Sequence, residues 1–158
     1  MSIPHLNQYN LLPAGVHECS IAEIENMFVY NSIRRRIWDS FIDYFNLIKN
    51  LSEIESIYID GSFVTDKDSP SDVDIAIEFV SLYDWGRLRR SNPELFDEAV
   101  IKETWHLDYL PCAPQMRSWQ GTDAREFFQG LEAQDIERRG IPKETKKGIL
   151  VVRLEGER

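Results

Sequence analysis

The sequence predicts an α+β domain: a small mixed β-sheet with helices packed on it. Three observations carry this. Two runs with strand alternation, 54–60 and 73–79, lie close together in the chain and read as neighbours in one sheet. Two more strand-like runs, 105–110 and 148–154, follow later, separated by helical stretches. A long apolar stripe over 32–50 marks a helix able to cover such a sheet.

Bulk properties agree. At 158 residues, with 42% hydrophobic and 28% charged residues, the chain fits one globular domain with a real core. The net charge is −9 and the pI about 4.8. Such a chain repels polyanions, so broad DNA or RNA binding by charge alone is not expected, although a local basic patch stays open. Acidic charge can also reside in a metal site. Cys19 and Cys112 fit neither a zinc motif nor a disulfide framework, and read as reduced thiols. No apolar run approaches the roughly 18 residues of a membrane span. Residues 1–12 lack the basic start and apolar core of a signal peptide. A soluble cytoplasmic protein without a membrane partner is expected.

Taken in order, residues 1–19 read as an extended arm broken by Pro4, Pro13 and Gly15. Ser20 and Glu23 have capping-box spacing and open a short helix at 20–28. In the helix at 32–50, Ile33, Ile37, Phe41, Phe45 and Ile48 recur at spacings of three or four, with Trp38 and Ile42 beside them. Arg34, Arg35 and Arg36 start this helix; they read either as a phosphate contact or as a solvated face. The strand at 54–60 ends at Gly61, and a loop rich in Asp, Ser and Pro leads to the strand at 73–79. Leu82, Trp85 and Leu88 give a helix over 81–90. Asn92-Pro93 caps and opens another, through Leu95, Phe96, Ala99 and Val100. Pro111 is expected to stop the strand at 105–110. Gly121-Thr122 is expected to begin a helix containing Phe127, Phe128 and Leu131, before a loop over 140–147 and the final strand.

The segment with chemical content is 60–75. Side chains two apart in a strand share a face, so Asp72 and Asp74 set two carboxylates side by side while Val73 and Ile75 point away. The two anions repel unless a cation lies between them. Hard oxygen ligands suit Mg²⁺ or Mn²⁺; two exposed strand-end aspartates are the plainer alternative. Gly61 permits a tight turn and close approach of a phosphate, and Ser62 offers its N–H and hydroxyl to phosphate oxygens. A phosphate-binding turn beside a metal-binding pair makes a metal–triphosphate site.

Gly61-Ser62, nine intervening residues, then Asp72-Val73-Asp74, resembles the DNA polymerase β-like nucleotidyltransferase superfamily, closest to its minimal prokaryotic members. That resemblance covers about 54–110. With Pro13-Ala14-Gly15-Val16-His17 and Lys147-Gly148-Ile149-Leu150, the chain also resembles, over nearly its whole length, an uncharacterised bacterial family expected to share that fold. The first resemblance implies a third carboxylate on a later strand, for which Asp108 fits; a surface or turn aspartate before Pro111 is its alternative. It further implies catalytic and metal-binding roles for Asp72, Asp74 and Asp108, a nucleoside triphosphate substrate (ATP is the suggested donor), and transfer of a nucleotidyl group to a hydroxyl. The minimal family often acts as an antitoxin that modifies a partner toxin, which points to a protein or RNA acceptor. A non-catalytic nucleotide-binding or antitoxin module on the same fold is the rival expectation, with Trp119 and Tyr83 as candidate contact residues.

Further candidates are weaker. Lys67 could reach a phosphate from the loop, and Thr65 could assist Ser62; a solvated lysine and a buried or capping hydroxyl are their alternatives. Asp66 and Asp68 read as turn residues or extra ligands, and Asp60 as a buttress of the turn. His106 would share the face of Asp108. Lys143, Lys146 and Lys147 form a late basic cluster, either a phosphate or acceptor contact or a solvated loop.

Overall fold

The computed structural model describes residues 2–114 and 128–158. Among these residues five strands form one mixed sheet: β1 (Gly15–Glu18), β2 (Ile54–Asp60), β3 (Val73–Phe79), β4 (Leu107–Cys112) and β5 (Gly148–Arg153), in the order β1-β5-β2-β3-β4. β1 runs parallel to β5 and β4 parallel to β3, while β2 is antiparallel to both its neighbours. The α+β prediction holds.

Local sequence accounts for most elements. Helix α1 (Ile21–Phe28) carries the expected capping box between Ser20 and Glu23. Helix α2 (Ser32–Ile48) is capped by Asn31, which accepts from the Arg34 N–H. Its buried face differs from the expected stripe: Arg34, Trp38, Phe41, Tyr44, Phe45 and Ile48 are buried, whereas Ile33 and Ile37 are only partly covered. Helix α3 (Leu82–Ser91) is capped by Ser81. The single helix expected after Asn92-Pro93 is two: α4 (Pro93–Phe96) and α5 (Glu98–Trp105). Asp97 divides them, because its side chain accepts from the Ala99 and Val100 N–H groups and so caps a new helix.

Three further expectations are corrected. Within the N-terminal arm, Gly15–Glu18 is an edge strand on β5, and Leu11 and Leu12 are buried. The third strand starts at Leu107, Trp105 ending α5 and His106 turning the chain at φ 58. Pro111 does not stop β4; it lies within it, which an edge strand tolerates. A helix not anticipated, α6 (Ala133–Arg139), ends at Gly140, whose φ of 65 closes it in the left-handed region. Of the helix expected from Gly121-Thr122, Phe128 is helical and Leu131 is not; its start, with Phe127, and the candidate contact Trp119 lie outside the described residues.

The sheet divides the molecule by side-chain parity. Ile57, Ile59, Val73, Ile75, Ile77, Leu107, Tyr109, Leu150 and Val152 face the main core with Trp38, Phe41 and Phe45 of α2. Tyr58, Ala76, Cys112, Ile149 and Val151 point the other way and meet Phe128. The candidate site stands at one end of this second face.

Among the described residues no helix is long and apolar enough to cross a membrane. Both cysteines are buried, and burial, followed by the charges of Glu23, Glu157 and Glu18, pushes the Cys19 thiol up to about 12.

Candidate metal and phosphate site

Strand register aligns the acidic side chains. Asp60 of β2 is opposite Asp74 of β3, and Asp74 is opposite Asp108 of β4. The three share the second face, by the same parity that sends Ile59, Ile75 and Tyr109 into the core. Asp72, one residue before β3, stands two from Asp74 and joins the row. One carboxylate oxygen from each of Asp72, Asp74 and Asp108 lies within 4.8 Å of the others.

Two lysines flank this row. Lys102, in the last turn of α5, places Nζ 3.0 Å from Asp72 Oδ2 and 2.9 Å from Asp108 Oδ1. Lys147 Nζ lies 2.6 Å from Asp60 Oδ1, with both side chains largely buried. Among the described residues no Lys or Arg pairs with Asp74, the middle carboxylate.

The electrostatics follow from that arrangement. Asp74 is pushed up to about 7, first by desolvation and then by the charges of Asp60, Asp72 and Asp108, which Lys147 offsets only in part. Desolvation raises Asp60 too, against the pull of Lys147. Asp72 is raised by desolvation and by its hydrogen bond with Asp108. At Asp108 desolvation acts upward, but the hydrogen bonds from Lys102 and Asp72 outweigh it and the carboxyl is lowered. One proton shared between neighbours relieves the repulsion that a cation would otherwise relieve.

The turn beside the carboxylates is held from behind. Gly61 breaks β2 at φ 87, and Ser62–Val64 forms a short 3-10 turn. A Cβ at Gly61 would stand 2.8 Å from Asp74 Oδ2 and 2.9 Å from its Cγ, so turn and carboxylate touch only because residue 61 has no side chain. Arg34, completely buried, gathers the far side of the turn. Its guanidinium donates to the carbonyls of Phe63 (2.6 Å), Thr65 (2.9 Å) and Lys67 (2.6 Å), and to that of Phe28 (2.9 Å). It also lies over the Tyr30 and Phe63 rings. Carbonyls of the turn drawn inward to one cation leave its opposite side to the cleft.

Asp72, Asp74, Asp108, Gly61, Ser62 and Lys67 open into one cleft of about 600 Å³. Arg138 of α6 and Lys147 also line it. The donor set fits a hard divalent cation: three carboxylates within reach of one another, the central one desolvated and, among the described residues, without an ion-pair partner.

A family profile matches residues 4–153, that of the family of unknown function DUF6932. The chain belongs to the DUF6932 family. No curated protein and no solved structure matches it.

Set against the sequence, the fold of this DUF6932 chain brings together most of the residues singled out and separates a few. Thr65 is withdrawn from the cleft face: its hydroxyl donates to the Ser62 carbonyl at 2.7 Å and accepts from the Lys67 N–H at 3.3 Å, so it stabilises the turn. Asp66 pairs with Arg139 at 3.3 Å, and neither it nor Asp68 lines the cleft. His106 caps α5 and lines a separate cavity with Ile33, Ile37 and Trp105. The late lysine cluster divides, since Lys147 is a buried partner of Asp60 while Lys143 is exposed. The three arginines of α2 also divide: Arg34 is buried, Arg35 pairs with Glu25, and Arg36 lines the cavity of His106.

Three residues of this DUF6932 site were missed by pattern; one, Arg138, stands on the unanticipated α6. Arg34 had a signal: 34, 38, 41, 45 and 48 form a helical stripe, and a cation on such a stripe is a buried one. Lys102 had none, because its approach to Asp108 depends on the turn at His106.

Proposed function

We propose that this protein is a Mg²⁺-dependent nucleotidyltransferase that moves a nucleoside monophosphate from a nucleoside triphosphate, with ATP the first donor to test, to a hydroxyl of a protein or RNA acceptor. The observation that carries the proposal is the cluster of Asp72, Asp74 and Asp108 beside the Gly61-Ser62 turn in one cleft. The family description assigns no activity, so the reading rests on chemistry and on the motif resemblance.

Asp72, Asp74 and Asp108 would hold the metal. Bound there, Mg²⁺ would supply the positive charge that polarises the α-phosphate and takes up charge on departing pyrophosphate. Ser62 and the turn bind the triphosphate tail, with Lys67 and Arg138 at the cleft wall to meet its charge. The acceptor oxygen attacks the α-phosphorus, the bond to the β-phosphate oxygen breaks, and pyrophosphate leaves. The hydroxyl proton passes to Asp108, the most exposed of the three carboxylates. The antitoxin-like role, with a toxin-like protein partner, belongs to the same proposal.

A non-catalytic module on the same fold is the second reading, and one observation favours it: Lys102 already neutralises Asp72 and Asp108 without a metal. Label transfer separates the two. The protein is incubated with each α-labelled nucleoside triphosphate and Mg²⁺, alone and with co-expressed genomic neighbours. Transfer abolished by Asp72→Asn and by Asp74→Asn is expected. No transfer from any donor, with nucleotide still bound in calorimetry, would leave the non-catalytic module.

A further inference from the structure

We propose that Lys102 gates the metal centre: its ammonium group holds the place between Asp72 and Asp108 that a divalent ion takes, and full loading requires Lys102 to swing out. The inference rests on the metal-site reading above and deepens it.

Four observations lead there. Lys102 Nζ contacts Asp72 and Asp108 at 3.0 and 2.9 Å, both of them members of the three-carboxylate cluster. An ammonium at that distance from two carboxylates satisfies the charge requirement of a cation there, and no Mg²⁺ can share the space. Among the described residues Asp74, the third member, has no such partner, so there a first ion meets no competing ammonium. Lys102 is about half exposed, whereas Lys147 at the other end of the row is nearly buried against Asp60. Only Lys102 has solvent on its open side and a flexible stem to leave by.

Charge balance gives the same order. Among the described residues four carboxylates face two ammonium groups in this row, leaving a deficit that one divalent ion fills. Metals about 3.5–4 Å apart, as in two-metal phosphoryl chemistry, need the second position vacated. A triphosphate, arriving with negative charge, supplies the pull that moves the balance from one ion to two. Lys102 thus ties complete metal loading to the presence of substrate.

Mn²⁺ binding tests this without any turnover. Free Mn²⁺ is followed by electron paramagnetic resonance during titration of the wild type, Lys102→Met, Lys102→Gln and a charge control, Lys49→Met, whose lysine does not line the cleft. The melting curve of each variant is taken first. Expected: Lys102→Met tightens the weaker Mn²⁺ site at least tenfold, Lys102→Gln tightens it less, and Lys49→Met leaves it unchanged. Binding in Lys102→Met and Lys102→Gln equal to or weaker than the wild type overturns the gate while leaving the metal reading in place. No Mn²⁺ binding by any of the proteins overturns both. Should Lys102→Met not fold, Lys102→Gln carries the same decision.

Discussion

Gly61 meets two demands at once. Its φ of 87 lies where an L side chain is strained, and any Cβ would press on the Asp74 carboxylate. Gly61→Ala is therefore expected to cost about 1–3 kcal/mol of stability through the backbone alone. Displacing the Asp74 carboxylate should also weaken Mn²⁺ binding. Urea unfolding with and without Mn²⁺ reads both effects, and a variant within about 0.5 kcal/mol of wild type, an ordinary surface value, would show that the turn is not fixed as described. Asp74 supports a pH prediction. Its folded pKa, about 7, lies above the ordinary 3.8, so between those values the native state holds the extra proton. Without metal, stability from this group is present at low pH and is lost as pH rises through about 7. The loss is on the order of 2–4 kcal/mol. In chelator, melting temperature should fall from pH 5 to pH 8 in the wild type, and that fall should flatten in Asp74→Asn. Mg²⁺ should oppose it, because a cation takes the place of the proton. Spacing alone made Asp72, Asp74, Gly61 and Ser62 legible, since strand parity and glycine chemistry are local. Lys102 was not legible, because its partners are set by the tertiary turn at His106.

At the scale of elements, α2 and the 62–67 turn behave as one unit. Arg34 joins them, and it replaces an apolar residue on the helix stripe with a cation fully out of water. Such a burial is tolerable only because carbonyls of Phe28, Phe63, Thr65 and Lys67 surround the guanidinium. Arg34→Met keeps the volume but strands those acceptors, and a loss of about 3–5 kcal/mol is expected, as for a broken buried charge network. Arg34→Lys restores the charge without the fork and should recover only part of it. Hydrogen exchange should show the 62–67 amides opening in both variants ahead of β2 and β3. Uniform change across the sheet would mean that Arg34 acts on general packing. Caps explain which elements the sequence disclosed. The Ser20–Glu23 box lies where its residue types predict, whereas Asp97 was overlooked between apolar positions that read as one helix. Pro111 misled in the other direction: a missing N–H ends a central strand, but among the described residues β4 stands at an edge of the sheet.

For the whole molecule, strand order decides what the N-terminal segment does. Local pattern located β2, β3 and β5 but carried no information on who pairs with whom, since β5 returns from the far end of the chain to lie between β1 and β2. That insertion converts an apparent arm into part of the sheet. β1 lies parallel to β5 over Gly15–Glu18, and the Gly148 N–H donates to the Leu12 carbonyl at 2.9 Å. Gly148 faces Pro13 so closely that no side chain fits there. Leu11 and Leu12 are each 1% exposed, and burying both contributes roughly 3–6 kcal/mol. A domain of this size is stable by only about 5–15 kcal/mol. Removing residues 2–18 should therefore abolish or nearly abolish the cooperative thermal transition, and with it Mn²⁺ binding, because β5 also leads from Lys147, the partner of Asp60. The double substitution Leu11→Ala, Leu12→Ala tests the same point without exposing the β5 edge, and should lower the melting temperature by ten degrees or more, at roughly 4 °C per kcal/mol. A truncated chain that melts within a few degrees of the full one would return residues 1–19 to the status of an accessory arm, and would show that the sheet from β5 to β4, with its helices, folds and holds the site without β1.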